Sequence, residues 1–319
     1  MNPSLAVELA GIPLANPVLA ASGPFGFGDE LEAVVDFRRL GAFITKSITL
    51  HPRQGNPPPR LAPTPAGMLN AIGLENPGVE GFLERHWPQL RNLGIPVIVS
   101  IAGHTFEEFA ILAARLGEVE GIAGIEVNVS CPNVEDGLVF GTDRELLFRL
   151  LRKVREVTRL PLIVKLTPNV TDIVPLARAA EEAGADALSL INTVLGMAVD
   201  VHTRRPALGG IVGGLSGPAI RPIAVRMTWE VCKAVHIPVI GMGGIAKAED
   251  ALEFLIVGAT AVAIGSAILH NPHVLDEVLD GLVRYLRKHG FRDIREVIGS
   301  LDADFVGGTS LKAAGFVNP

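Results

Sequence analysis

Gly124-Ile-Glu-Val-Asn-Val-Ser-Cys-Pro-Asn133 decides how this chain is read. Its first half has the composition of a strand buried on both faces in a parallel sheet. Pro132 ends it, because proline cannot donate to a ladder and keeps the residue before it out of helix. Cys131 therefore stands at the carboxyl end of a strand, where barrel-type and open α/β proteins place their chemistry. A lone cysteine is commonly a small core residue. The carboxamides of Asn128 and Asn133 on either side of it need partners, and a polar planar ligand suits them better than a core does.

Working outward, short apolar runs recur with amphipathic segments between them. Strands are expected at residues 18–22, 43–48, 97–102, 124–130, 162–167, 187–192, 239–242 and 261–265. Helices are expected to include 79–91, 106–116, 144–157, 173–183, 220–234 and 248–257. Thr105, Thr142-Asp143 and Thr171-Asp172 are placed as N-caps, and Gly184 and Gly258 follow helical runs as C-terminal glycines do. Eight strand–helix alternations outline a TIM (β/α)8 barrel. An open doubly wound sheet is the rival, but no Gly-x-Gly-x-x-Gly turn follows the first strand. Residues 5–14 read as a hairpin capping the barrel bottom, and the proline-rich 51–68 as a long ordered insertion. With no composition break, residues 1–319 are expected to form a single domain.

Composition narrows the function. The 319 residues are 48% hydrophobic and 19% charged, which describes a large core. A net charge of −6 without basic clusters argues against nucleic acid. No signal peptide or run of about 18 apolar residues is apparent, so a cytoplasmic protein without a membrane span is expected. Cys131 and Cys232 are the only cysteines. They supply neither a disulfide framework nor the ligands of an iron–sulfur cluster.

The polar residues gather at the expected strand ends: Ser22, Lys46-Ser47, Ser100, Asn128 with Cys131, Lys165, Asn192-Thr193, Gly243-Gly244 and Gly265-Ser266. A lysine inside an apolar strand is costly unless it meets an anion or polar ligand. Two of them on separate strands favour a ligand over a pair of structural ion pairs. Glycine-rich loops after the last strands commonly take a phosphate on backbone N–H groups, and Gly213-Gly-Leu-Ser-Gly217 adds further donors before a helix. No metal-ligand spacing of His, Asp and Glu appears on this rim. An FMN enzyme with Cys131 as general base fits these parts. A Schiff-base aldolase using Lys165, or a flavin-holding subunit without turnover, are readings from other classes.

Five stretches carry a family resemblance over nearly the whole chain: Asn70-Ala-Ile-Gly-Leu-Glu-Asn-Pro-Gly78, Asn128-Val-Ser-Cys-Pro-Asn133, Ile191-Asn-Thr-Val-Leu-Gly-Met197, Gly213-Gly-Leu-Ser-Gly-Pro218 and Gly241-Met-Gly-Gly-Ile245. The sequence resembles the dihydroorotate dehydrogenases, and within them the NAD-coupled class 1B catalytic subunits. A fumarate-using class 1A homodimer is the neighbouring reading within the family.

The resemblance implies FMN held by Ser22, Lys46, Ser47, Asn128, Lys165 and Ile191 at its ring and ribityl chain. It implies Gly217, Gly243, Gly244, Gly265 and Ser266 at its phosphate end. Position 100 is serine where the family usually has an asparagine touching FMN, so Ser100 is retained as a flavin contact of shorter reach. Lys46, Asn70, Ala71, Ile72, Gly73, Leu74, Asn128, Asn133, Asn192 and Thr193 would surround orotate. Cys131 would take a proton from C5 of dihydroorotate while C6 passes a hydride to FMN. A homodimer is implied, joined by a second subunit carrying FAD and a [2Fe–2S] cluster into a heterotetramer that passes electrons to NAD.

Overall fold

The computed structural model describes residues 2–130 and 140–303, together with the strand pair Phe305–Val306 and Thr309–Ser310. Cys131 and Asn133 lie outside the described residues.

Eight parallel strands close into a barrel in chain order: β1 (Val18–Ala20), β2 (Ala42–Ile44), β3 (Val97–Ile101), β4 (Gly124–Asn128), β5 (Leu162–Lys165), β6 (Ala187–Leu190), β7 (Val239–Met242) and β8 (Ala261–Ile264), with β8 pairing back to β1. The TIM barrel expected from sequence is the observed fold. Each strand is short and almost wholly buried, because the barrel interior packs one face and the helices pack the other. Except for β7, which ends where expected, the expected strands run one to four residues further, into loops that leave the ladder to build the rim.

The helices are α1 (Gly78–Arg85), α2 (Trp87–Leu90), α3 (Phe106–Gly117), α4 (Arg144–Val157), α5 (Val174–Glu182), α6 (Arg221–Cys232), α7 (Ala248–Ile256) and α8 (Val274–His289). In α4, Leu147, Leu150, Leu151 and Val154 are fully buried at helical spacing. Asp143 caps it by accepting from the Leu146 N–H at 2.8 Å, and Thr105 caps α3 by accepting from Glu108 at 3.1 Å. Asp172 accepts from the Val174 N–H at 2.9 Å but stands one residue ahead of the cap position. The single helix expected over 79–91 is two. Pro88 has no N–H for the carbonyl of Glu84, so the helix stops at Arg85 and restarts at Trp87. The long last helix α8 goes beyond the six named from sequence; Gly290 ends it in the left-handed region at φ 75°.

Two additions sit at opposite ends of the barrel. At the amino end, Val7–Leu9 pairs with Ile12–Leu14 through a turn at Ala10 and Gly11, both at positive φ. At the carboxyl end, the insertion after β2 folds as Leu61–Thr64 and Gly67–Asn70. It joins Val194–Gly196 and Gly213–Ser216, inserted after β6, in one four-stranded antiparallel sheet. Half the barrel separates β2 from β6, so these insertions reach over the mouth from opposite sides.

Candidate active site

A cavity of about 1560 Å³ opens at the carboxyl end between the strand tips and this covering sheet. Single small-molecule sites usually occupy about 300–1,000 Å³, so there is room here for two ligands side by side.

The cavity brings together Ser22, Lys46, Ser47, Asn128, Lys165, Ile191, Gly217, Gly243, Gly244, Gly265 and Ser266 from the expected flavin set. Asn70, Ala71, Ile72, Gly73, Leu74, Asn192 and Thr193 from the expected substrate set line it too. Strand register explains part of this convergence: Asn128 on β4 pairs with Lys165 on β5, and Ser189 on β6 pairs with Lys165 from the other side.

Lys165 is 5% exposed and donates to the Ser22 hydroxyl at 2.8 Å, which spans the barrel from β5 to the end of β1. Lys46 faces the cavity, and among the described residues no carboxylate pairs with it. Asn128 donates to the Ser47 hydroxyl at 3.1 Å and accepts from Asn192 at 3.3 Å, so the two carboxamides lie edge to edge. Asn70 is anchored from above by donating to the Gly214 carbonyl at 3.1 Å.

Ser100 departs from expectation. Its side chain is fully buried under Ser47 and does not line the cavity. Its hydroxyl lies 2.8 Å from that of Ser47 and donates to Glu126 at 3.0 Å. The shorter reach of serine puts it into a network below the floor, behind the residues that line the cavity.

At the glycine-rich end, Gly243 and Gly244 take φ of 125° and 78°, values that L side chains rarely adopt. The turn is pinned by Asp250, 1% exposed, which accepts from the Ala246 N–H at 2.9 Å and pairs with Arg221. A Cβ on Gly244 would lie 2.7 Å from the Gly217 carbonyl, so that glycine is needed for the two loops to touch. Gly265 differs: it lines the cavity, and a Cβ there would meet nothing nearer than Ala21 at 3.8 Å, so the chain itself leaves room for one. Gly213 and Gly214, read as extra phosphate donors, lie in the covering sheet. Side chains there would strike the backbone of Asn70 and the side chain of Thr193.

Sequence reasoning missed Glu126, Asn169 and Arg53. Glu126 is fully buried inside the barrel; a carboxylate within an otherwise apolar strand was the available signal. Asn169 lines the cavity and ties the β6 insertion by donating to the Thr193 carbonyl at 3.1 Å and accepting from Leu195 at 2.9 Å. Arg53 lines the cavity and meets His104 behind it. Cys232 is half-buried under Gly258, away from the cavity, and burial pushes its thiol up to about 12. No helix among the described residues is long and apolar enough to cross a membrane.

The dihydroorotate dehydrogenase family profile matches residues 4–286. A protein of Desulforudis audaxviator named dihydroorotate dehydrogenase B (NAD(+)), catalytic subunit, is 55% identical over 94% of this chain and 98% of its own. Proteins of the same name from Geotalea uraniireducens and Thermoanaerobacter pseudethanolicus are each 52% identical over 94% of this chain, covering 99% and 100% of theirs. With the barrel, the strand-end polar groups and this likeness in hand, the chain belongs to the dihydroorotate dehydrogenase family.

Proposed function

We propose that this chain is the catalytic subunit of an NAD-linked dihydroorotate dehydrogenase, oxidising dihydroorotate to orotate in pyrimidine biosynthesis with FMN as its cofactor. The observation that carries the reading is the convergence, in one two-ligand cavity, of two lysines, the carboxamides of Asn70, Asn128 and Asn192, and a bare glycine backbone.

These residues fit FMN. Gly265 leaves space that any side chain would fill, as a phosphate cradle requires, and Gly243-Gly244 and Ser266 stand beside it. Lys165 and Ser22 present an ammonium and a hydroxyl at the floor, where a flavin ring would gain negative charge on reduction. When bound, FMN supplies a two-electron acceptor for hydride.

The chain's own residues do the rest. Lys46, which pairs with no carboxylate among the described residues, offers its ammonium to the substrate carboxylate. Asn70, Asn128 and Asn192 present donors and acceptors to the planar amide edges of the pyrimidine, and the covering sheet lies over that contact. Cys131, with Asn133 beside it in sequence, removes the proton from C5 as general base. An unperturbed thiol stays mostly protonated at neutral pH and is a modest base, so its contribution comes from position. Electrons leave through an FAD and [2Fe–2S] partner subunit, giving a homodimer extended to a heterotetramer in the cytoplasm.

The test uses the purified chain. A flavin absorption spectrum should accompany the protein and bleach when dihydroorotate is added without oxygen. Artificial acceptors should then restore it, whereas NAD should not until the partner subunit is added. Rapid reoxidation by fumarate would reassign the chain to the class 1A type, and a colourless protein that takes up no FMN would remove the proposal.

A further inference from the structure

Glu126 occupies the middle of β4 with no exposure at all, directly beneath the cavity floor. A carboxylate in such a place destabilises the fold unless donors and a counter-charge surround it. Ser100 on β3 donates to its Oε1 at 3.0 Å and Ser189 on β6 donates to its Oε2 at 3.0 Å. Lys165 Nζ lies 3.9 Å away. Because β4 and β6 are not neighbours, the Ser189 bond crosses the barrel interior, and Glu126 points into it.

An ionised carboxylate can only accept, and a serine hydroxyl has one hydrogen to give. The Ser100 hydrogen is committed to Glu126, so between the two serine oxygens 2.8 Å apart Ser47 must be the donor. With its own hydrogen committed to Ser100, Ser47 can only accept from the Asn128 Nδ2 at 3.1 Å. The Asn128 amide is thereby oriented, its oxygen turned to the Asn192 amide at 3.3 Å and the Ser130 N–H at 3.2 Å. Donation runs one way, from Asn192 through Asn128, Ser47 and Ser100 to Glu126. A neutral group at position 126 would leave the Ser47–Ser100 step undecided, while the Ser130 and Thr193 N–H groups, at 3.2 and 2.8 Å, still hold the oxygens of Asn128 and Asn192.

We propose that Glu126 is a positioning residue whose buried charge sets the direction of the Ser100–Ser47 step of this relay, so that Ser47 holds the Asn128 amide and keeps the Asn128 and Asn192 carboxamides in place for the substrate. Ser100 is the relay's link, and serine at that position has a role of its own. The inference rests on the proposed pyrimidine site.

Its test compares two serines that touch the same carboxylate. Ser100→Ala and Ser189→Ala each remove one hydroxyl from Glu126, but only Ser100 leads to Asn128. Orotate is titrated into FMN-loaded protein and followed by the change in flavin absorbance, with FMN content and melting temperature as controls. The relay predicts orotate affinity weakened about tenfold in Ser100→Ala, the usual worth of a hydrogen bond to a charged group. Ser189→Ala should change it less than about twofold on the same scale. Equal losses in the two variants overturn the relay and leave Glu126 a structural group. Glu126→Gln should weaken orotate binding in the parent but add nothing to Ser100→Ala, whereas additive losses would count against the proposal. If Glu126→Gln does not fold, the serine pair still decides. Should the parent itself take up FMN but no orotate, the proposed function fails and the relay is not at fault.

Discussion

The two ends of the barrel are made from the same eight strands and differ in almost every physical respect. At the amino end, Leu9, Ile12 and Leu14 of the hairpin are buried, and Ile12 lies against the start of β4, within 3.4 Å of where a Cβ on Gly124 would sit. At the carboxyl end, Ser100, Glu126, Lys165 and Ser189 occupy the interior, and a cavity stands above them. The change happens within β4, between Ile125 and Asn128. Apolar packing at one end stabilises a structure that tolerates buried charge at the other, where the chemistry needs it.

The sharpest way to separate the ends is to remove a group that acts at only one of them. Cys131→Ser should retain FMN and orotate binding yet slow flavin reduction by dihydroorotate roughly 10²–10⁴-fold near neutral pH, the usual worth of a positioned base. Stopped-flow bleaching measures this step alone, and a serine variant as fast as the parent would move proton abstraction to another residue.

The converse experiment is Leu9→Ala. Leu9 is fully buried in the hairpin, and deleting a buried leucine side chain typically costs about 2–5 kcal/mol. Denaturant midpoints should fall accordingly while the affinities for FMN and orotate stay unchanged. Altered affinity would mean that the ends are mechanically coupled.

Gly265→Ala probes the open end more gently. Its methyl group enters space that the chain leaves empty, so the protein should melt as the parent does while FMN affinity drops about tenfold, read by fluorescence titration. Unchanged affinity would place the phosphate elsewhere.

The smallest expected effect concerns the thiol outside the cavity. Burial raises Cys232 from its ordinary 9.0 to about 12. A folded-state value above the unfolded one means that this group's contribution to stability is complete below pH 9.0 and is lost as pH rises toward about 12. The parent should therefore lose more stability across that interval than Cys232→Ala does, as unfolding at stepped alkaline pH will show. At about pH 8, alkylation of the native protein should spare Cys232.

Much of this was legible in the chain itself. Strand and helix alternation is a local hydrophobic pattern, so all eight strands were found, and α4 was placed to the residue. Lysines in apolar runs and glycine pairs after strands are local oddities, and they led to the strand-end part of the cavity lining. Boundaries were less legible: Pro88 splits a helix that its flanking periodicity would continue.

Sequence alone determined most of the strand-end residues that reach the carboxyl rim, because strand polarity and strand ends follow from local pattern. Only the tertiary structure decided how they meet. Glu126 and Ser189 are 63 positions apart and touch because the closed barrel brings β4 and β6 across one interior. Gly67–Asn70 and Gly213–Ser216 pair above the mouth because β2 and β6 lie on opposite sides of it. Gly244 and Gly265 read alike in sequence, yet a Cβ on the first would strike a neighbouring loop and one on the second would sit at ordinary contact distance from Ala21. Such contacts depend on the radius and register of a closed sheet, which are properties of all eight strands together and of no single stretch.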